Sequence, residues 1–381
     1  MPRYLHSMKR YPAYDPPEYL DWDPDPIEMR RFRAPLQIEE RAARIAQLDP
    51  DGLLEIYHHL LRTRLHDIAL KRWVRTGVIS KAWLGTGEEA VTVGAVAALA
   101  PERDVVCPMI RNAGALPMMG MPLSDCFRGY LASVDSPSGG RDLHIGDMER
   151  NVLQPISHMG TNVAVMAGVA LAFRNRRQDA VALTWIGDGA TKTAACHEGL
   201  TFAALLRLPV VYVIQNNQVA LGTRLAAHGR GSLTDWAAAY GIRSWQCDGN
   251  NVLDVLATTA LAVATCRAGE GPAVVLAETF RMGGHATHDE REARATFPPE
   301  LFREWGQRDP VGLFEAYLME EGVSQDALAA VEVDVTSEVD RAADEAKRSR
   351  DASPPPDAAF YDGFSEGYPL VGIQKRPMRR E

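Results

Sequence analysis

Two apolar runs, AVALTWI (180–186) and PVVYVIQ (209–215), set the terms for this chain. Each has the length of a buried strand, and TAACHEGLTFAALLR (193–207) between them carries a helical pattern. Strand, helix, strand with short connections is a βαβ unit, which commits the two strands to lie parallel in one sheet. DVVCPM (104–109) and PAVVLAETF (272–280) read as further strands, the first running straight into IRNAG. Helical spacing recurs over 50–77, 88–99, 162–175, 252–269, 309–322 and 324–349, and LTDWAAAYG reads as a short helix closed by Gly241. The expected class is α/β, a parallel sheet flanked by helices.

Around this core the composition changes. Residues 1–50 are rich in Pro, Asp, Tyr and Arg and read as an irregular N-terminal arm with little core of its own. Residues 51–350 hold the α/β domain with its C-terminal helices, and SPPPDAAF (353–360) leads into a linker and tail over 351–381. Without arm and tail, one domain's worth of core remains. The net charge of −9 is mixed along the sequence, so no basic face for nucleic acid is expected. The longest apolar run, AVTVGAVAALA (90–100), is too short to span a bilayer. The N-terminus lacks the apolar segment of a signal peptide. Five cysteines without a CxxC pair point to a reducing compartment, and the cytoplasm is the expected location.

The two strands of the βαβ unit end in Gly187-Asp188-Gly189 and in Asn216-Asn217. In an open parallel sheet, ligands bind beyond the carboxyl ends of the strands. Gly187 and Gly189 remove side chains where a phosphate would need close approach to the backbone. A helix opening near Thr191 would aim free N–H groups at the same place. A carboxylate, an amide oxygen and a backbone carbonyl are hard ligands that suit Mg²⁺, whose remaining positions go to phosphate and water. The competing account is ordinary turn chemistry. The second Asn pair, Asn250-Asn251 in CDGNNV, sits in a turn and is expected to cap a helix. Context separates the two pairs, because Asp188 and Asn217 each follow a strand with one helix between.

GDG followed by NN at this spacing resembles the signature of thiamine-diphosphate-dependent enzymes. More narrowly, residues 50–320 resemble the alpha subunit of the E1 component of 2-oxo acid dehydrogenase complexes, through GTGEEAVTVGAVAAL, IRNAGALPMMG, ISHMGTNVAVMAGVALA, WIGDGAT, NNQVAL and GGHATHDE in that order. The resemblance implies that Asp188 and Asn217 bind Mg²⁺, with the backbone carbonyl of Val219 as third protein ligand. It implies that Gly187 lies in the cofactor loop, that Gly189 and Ala190 present N–H groups to the diphosphate, and that Arg111 grips it. Met159 and Gly160 would meet the aminopyrimidine, and His285 would stand near the thiazolium as the catalytic residue. His288 and Asp289 share that loop, and Cys196-His197 reads as packing.

The family's activity is oxidative decarboxylation of a 2-oxo acid with acyl transfer to a lipoyl group. Thiamine enzymes of one chain carry two related α/β domains. With one domain here, the resemblance implies a separate beta subunit, an α2β2 assembly and a lipoyl domain of E2 as acyl acceptor. WIGDGAT, LTFA and NNQ lean to the branched-chain type, with pyruvate and acetoin dehydrogenases as alternatives. The chain departs from the family at Ile110, where Tyr is frequent, at Gln215, where Arg is frequent, and at Val219, where an aromatic residue is usual. These departures keep a catalytically silent relative in view. Ala286 stands where animal mitochondrial relatives carry a regulatory serine.

Overall fold

The computed structural model describes residues 25–229 and 231–350. Its main sheet has five parallel strands, β1 (Val105–Cys107), β2 (Ala182–Gly187), β3 (Val210–Asn216), β6 (Arg243–Asp248) and β7 (Ala273–Glu278), in the order β1-β2-β3-β7-β6. A two-residue hairpin, β4 (Val219–Ala220) and β5 (Thr223–Arg224), follows β3 directly.

Side-chain alternation divides the core between the two faces of the sheet. Leu183, Trp185, Val211, Val213 and Val275 point to one face, under helices Pro50–Arg75, Glu89–Ala97 and Val252–Arg267. Ala182, Ile186, Val210, Tyr212 and Ile214 point to the other, under helices Thr161–Arg176, Ala194–Leu205 and Leu233–Ala238. Both faces are covered, which is why the runs read as continuously apolar rather than alternating. The four expected strands and the longer helices stand within a few residues of their predicted bounds.

Three expectations need correction. The strand β6 was not expected: RSWQCD is polar because it forms an edge and stays half exposed along most of its length. The stretch read as an irregular arm is helical where it is described, at Pro26–Arg33 and Glu39–Ile45, and it joins the core. Phe32 is buried, its ring 5.5 Å from that of Tyr317, and its carbonyl accepts from Asn251 Nδ2 at 2.7 Å. Arg41 bonds Asp254 at 2.5 Å and the Gln246 carbonyl at 2.8 Å, tying these short helices to the β6 edge. Asp25 caps the first helix by accepting from the Ile27 N–H at 2.7 Å, and Pro26 occupies the first turn. Helices of eight and seven residues are too short to show a period. Third, the charged stretch after 285, where the sequence pattern marks no helix, contains helices Glu290–Thr296 and Pro299–Gly306. Residues 1–24 and the linker and tail at 351–381 lie outside the described residues. No helix among those described is long and apolar enough to cross a membrane. All five cysteines are free and buried.

The loop carrying GTGEE is fastened from below. Arg64, fully buried on helix Pro50–Arg75, holds Glu89 through Nε–Oε1 at 2.5 Å and Nη2–Oε2 at 3.0 Å. The same guanidinium reaches Asp309 at 2.8 Å, and Glu89 Oε2 accepts the Gly87 N–H at 2.9 Å. Asp67 Oδ2 accepts the Gly85 N–H at 2.8 Å. Removing one member of a buried, bidentate ion pair strands the other charge, at a cost of roughly 3–5 kcal/mol. Glu89→Ala is therefore expected to lower unfolding stability by about 3 kcal/mol or more in a denaturant titration. A loss below about 1 kcal/mol would show that the triad is not what holds this loop.

Candidate functional site

Residues from the carboxyl ends of four neighbouring strands converge at one place: Arg111 after β1, Asp188 after β2, Asn217 after β3, and Arg281 with His285 after β7. The register of the β2–β3 ladder pairs Gly187 with Gln215, so Asp188 and Asn217 leave adjacent strands at nearly the same height. The two strands lie parallel in one sheet, as expected, and are direct neighbours in it. The helix after GDG opens later than expected. Asp188–Lys192 forms a 3₁₀ turn, and the α-helix begins at Ala194, capped by Thr193.

Asp188 is 1% exposed. Burial pushes its carboxyl above the usual range, offset by His228, whose Nε2 lies 3.0 Å from Oδ2. Asn217 is also buried; its Nδ2 donates to Glu88 Oε1 at 2.8 Å, which leaves Oδ1 on the far side of the amide, 3.4 Å from the Val219 N–H. Val219 begins the hairpin, which folds back over the GDG turn, and a Cβ on Gly189 would lie 2.5 Å from Ala220 Cβ. Gly189 is thus required by close approach. At Gly187 a Cβ would meet nothing of the protein within 4 Å, and its φ of −80° is ordinary, so the chain's own packing does not demand glycine there.

Arg111 is buried rather than on the surface. Its Nη1 donates to Glu88 Oε2 at 3.2 Å, and Nη2 faces His285 Nδ1 at 3.3 Å. Since a guanidinium only donates, His285 Nδ1 accepts, and the neutral ring carries its proton on Nε2. Arg281, 3% exposed, donates to the Leu221 carbonyl at 2.7 Å and the Gly283 carbonyl at 3.0 Å. Burial and then the nearby Arg111 pull its pKa down to about 10. Burial, Arg111 and Arg281 together hold His285 down to about 4. Buried cations that repel one another at strand ends form a positive cluster that an anion would relieve.

Gly160, at φ 79°, precedes helix Thr161–Arg176, and a Cβ there would collide with the Thr193 hydroxyl. Asn162 Nδ2 donates to Thr184 Oγ1 at 2.7 Å and to the Trp185 carbonyl at 2.8 Å, which brings the 159–162 turn to the end of β2. Met159 is 60% exposed, so it is not core filling. His288 is exposed and pairs with Asp289 at 3.1 Å. Cys196 is buried with its thiol pushed up to about 12, and His197 bonds Tyr240, so neither forms a nucleophilic pair. Asn251 caps its helix as expected, accepting from the N–H groups of Leu253 and Asp254 at 3.1 and 3.2 Å. No cluster of three His, Cys, Asp or Glu that could hold a metal occurs among the described residues. A cation here would rest on one carboxylate, an amide and backbone oxygen.

Sequence reasoning missed Glu88, Arg281 and His228. Glu88 did leave a signal, as one of two acids heading an otherwise apolar helix. His228 left none, because a four-residue helix beyond the hairpin brings it to Asp188.

This arrangement defines a class, namely parallel α/β proteins that hold their ligand beyond the strand ends. Residues 57–355 match the family model described as dehydrogenase E1 component, and the chain belongs to that family. It is 30% identical over 309 residues to the 2-oxoisovalerate dehydrogenase subunit alpha of Bacillus subtilis, covering 79% of this chain and 92% of that relative. It is 29% identical over 324 residues to the pyruvate dehydrogenase E1 component subunit alpha of Zymomonas mobilis, covering 84% and 90%. The pyruvate dehydrogenase E1 component subunit alpha of Bacillus subtilis is 32% identical over 310 residues, covering 79% of each chain.

His285 is expected to remain neutral from about pH 8 to about pH 5, and imidazole NMR reads this directly. Its folded pKa of about 4 lies below the ordinary value near 6.5. The unfolded chain therefore binds the extra proton first, and this group's contribution to stability is lost as pH falls from about 6.5 toward 4. Arg111→Met should move the His285 pKa upward. An unchanged value would mean that the guanidinium does not bear on the ring.

Proposed function

We propose that this chain is the alpha subunit of a 2-oxo acid dehydrogenase E1 component. It would hold the diphosphate end of thiamine diphosphate and Mg²⁺ at the strand ends, and complete its active site with a beta subunit. The observation that carries the reading is the convergence of Asp188 and Asn217 on adjacent strands with the buried cations Arg111 and Arg281 beside them. The residues fit such a group. Asn217 is turned oxygen-outward by its bond to Glu88, Asp188 supplies a buried carboxylate, and the glycine at 187 leaves room that no protein atom fills.

In this reading Asp188, Asn217 and the Val219 carbonyl hold Mg²⁺, hard oxygen ligands to a hard cation. His228 then yields its hydrogen bond or keeps it to a lone pair the cation does not use. The N–H groups of Gly189 and Ala190 and the Arg111 guanidinium receive the diphosphate. Gly160 and Met159 bear on the aminopyrimidine. When bound, thiamine diphosphate supplies the carbon nucleophile and the electron sink that decarboxylation of a 2-oxo acid requires. His285, pinned at Nδ1 by Arg111 and neutral at physiological pH, offers an Nε2–H donor and steadies charge without adding a cation.

Completion by a beta subunit is supported by the single parallel sheet among the described residues and by large apolar side chains at solvent. Met159 and Leu221 are 60% and 58% exposed, and Phe202 and Leu205, three apart on one helix, are 41% and 79% exposed. The acyl group would pass to the lipoyl domain of an E2 partner. WIGDGAT, LTFA and NNQ favour a branched-chain 2-oxo acid. The relatives named for 2-oxoisovalerate and for pyruvate are similarly distant, at 30% against 29% and 32% identity.

The test is co-expression with the beta partner, followed by calorimetric titration of thiamine diphosphate and Mg²⁺ and by decarboxylation assays on 2-oxoisovalerate and pyruvate. Mg²⁺-dependent cofactor binding that Asp188→Ala abolishes is the expected result. No binding, or binding indifferent to Asp188→Ala, would leave the chain a silent assembly partner. Faster turnover of pyruvate would overturn the branched-chain assignment alone.

A further inference from the structure

One buried carboxylate touches both halves of the proposed cofactor site. Glu88, 1% exposed, stands at the start of helix Glu89–Ala97. Its Oε1 accepts from Asn217 Nδ2 at 2.8 Å and from Gln215 Nε2 at 2.7 Å, while its Oε2 accepts from Arg111 Nη1 at 3.2 Å. We propose that Glu88 is a positioning residue that sets which end of the Asn217 amide faces the cation. The proposal rests on the reading of Asp188 and Asn217 as a Mg²⁺ site.

An amide has an oxygen end and a nitrogen end of nearly the same shape, and only the oxygen can ligate a cation. Nothing in the Asn217 side chain chooses between them. A carboxylate is acceptor-only when ionised, so it admits the Nδ2 end and rejects the Oδ1 end. Glu88 thereby turns Oδ1 away from itself, toward Val219. Gln215 locks the arrangement: its Nε2 shares Glu88 Oε1, and its Oε1 accepts Asn112 Nδ2 at 2.8 Å, with Asn112 also bonded to Thr92 at 2.8 Å. All these groups are buried, so no water competes for the orientation. Partners that orient metal ligands in this way usually change metal affinity by about 10–100-fold when lost.

The experiment uses the α2β2 assembly and titrates Mg²⁺ at fixed thiamine diphosphate by calorimetry, with unfolding followed separately. Glu88→Leu removes both acceptors at similar size, so nothing at 88 selects the nitrogen end of Asn217 and Mg²⁺ affinity should fall about 10–100-fold. In an Asn217→Asp background both ends of the side chain are oxygen and no orientation remains to be set. There Glu88→Leu should leave Mg²⁺ affinity unchanged or improve it, because it also removes a like charge. A purely structural Glu88 would lower affinity equally in both backgrounds, and that result overturns the proposal. So does a Glu88→Leu affinity within about twofold of the wild type in the Asn217 background. If Glu88→Leu does not fold, Glu88→Asp, which withdraws the carboxylate by one methylene, is read on the same two backgrounds and by the same criteria. A wild-type assembly without Mg²⁺ affinity overturns the cofactor reading together with this one, whereas affinity that ignores Glu88 overturns this one alone.

Discussion

Gly187 pairs with Gln215 across the β2–β3 ladder, and the site depends on that register. Asp188 and Asn217 each lie just beyond their strand, so their separation is set by strand spacing of about 4.8 Å and by little else. A slip of one residue would turn every side chain of β3 to the opposite face, burying the wrong set. Trp185, Val211 and Val213 on one face and Tyr212 and Ile214 on the other make that slip costly. Packing deep in the sheet thus fixes the geometry of polar groups at its rim.

The rim itself is an electrostatic compromise. Arg111 and Arg281 are buried near one another, and Arg111 raises the cost of the Arg281 charge. Glu88 and Asp188 offset part of that cost. Burial first, and then the two guanidiniums, keep His285 neutral, which preserves its Nδ1 as an acceptor for Arg111. A protonated His285 would lose that bond and add a third cation to the cluster. The neutral ring is therefore a joint consequence of burial and of the neighbouring cations.

Much of this was legible in the sequence. The apolar runs at 180–186 and 209–215 announced two neighbouring strands because both faces of those strands are buried, and GDG and NN mark their ends. The helix between them was legible for the same reason of pattern. What could not be read were features that depend on distant parts of the chain meeting. His228 reaches Asp188 through a hairpin that is entered at positive φ at Gln218 (71°) and turned at positive φ at Leu221 (55°), residue types that do not advertise such a turn. Helices Pro26–Arg33 and Glu39–Ile45 are too short for periodicity, and only their docking on Tyr317, Asn251 and Asp254 orders them. The edge strand β6 is polar because edges are.

Gln215 shows how a departure from a family pattern changes meaning once its surroundings are known. Taken alone, a neutral residue where arginine is frequent suggests a weaker hold on the diphosphate. In the structure Gln215 is fully buried, and both ends of its amide are used, toward Glu88 and toward Asn112. A guanidinium in its place would have no acceptor end to receive Asn112 Nδ2, whose own carbonyl oxygen already lacks a partner. It would also bring a further cation onto a carboxylate that Arg111 already pairs. With a neutral residue at 215, Arg111 is the one guanidinium hydrogen-bonded to Glu88 among the described contacts, and Arg281 is spent on backbone carbonyls instead. The loss of a cation at 215 thus comes with a network that needs an amide there, so the substitution reads as a rearranged support for Asn217 rather than as decay of the site.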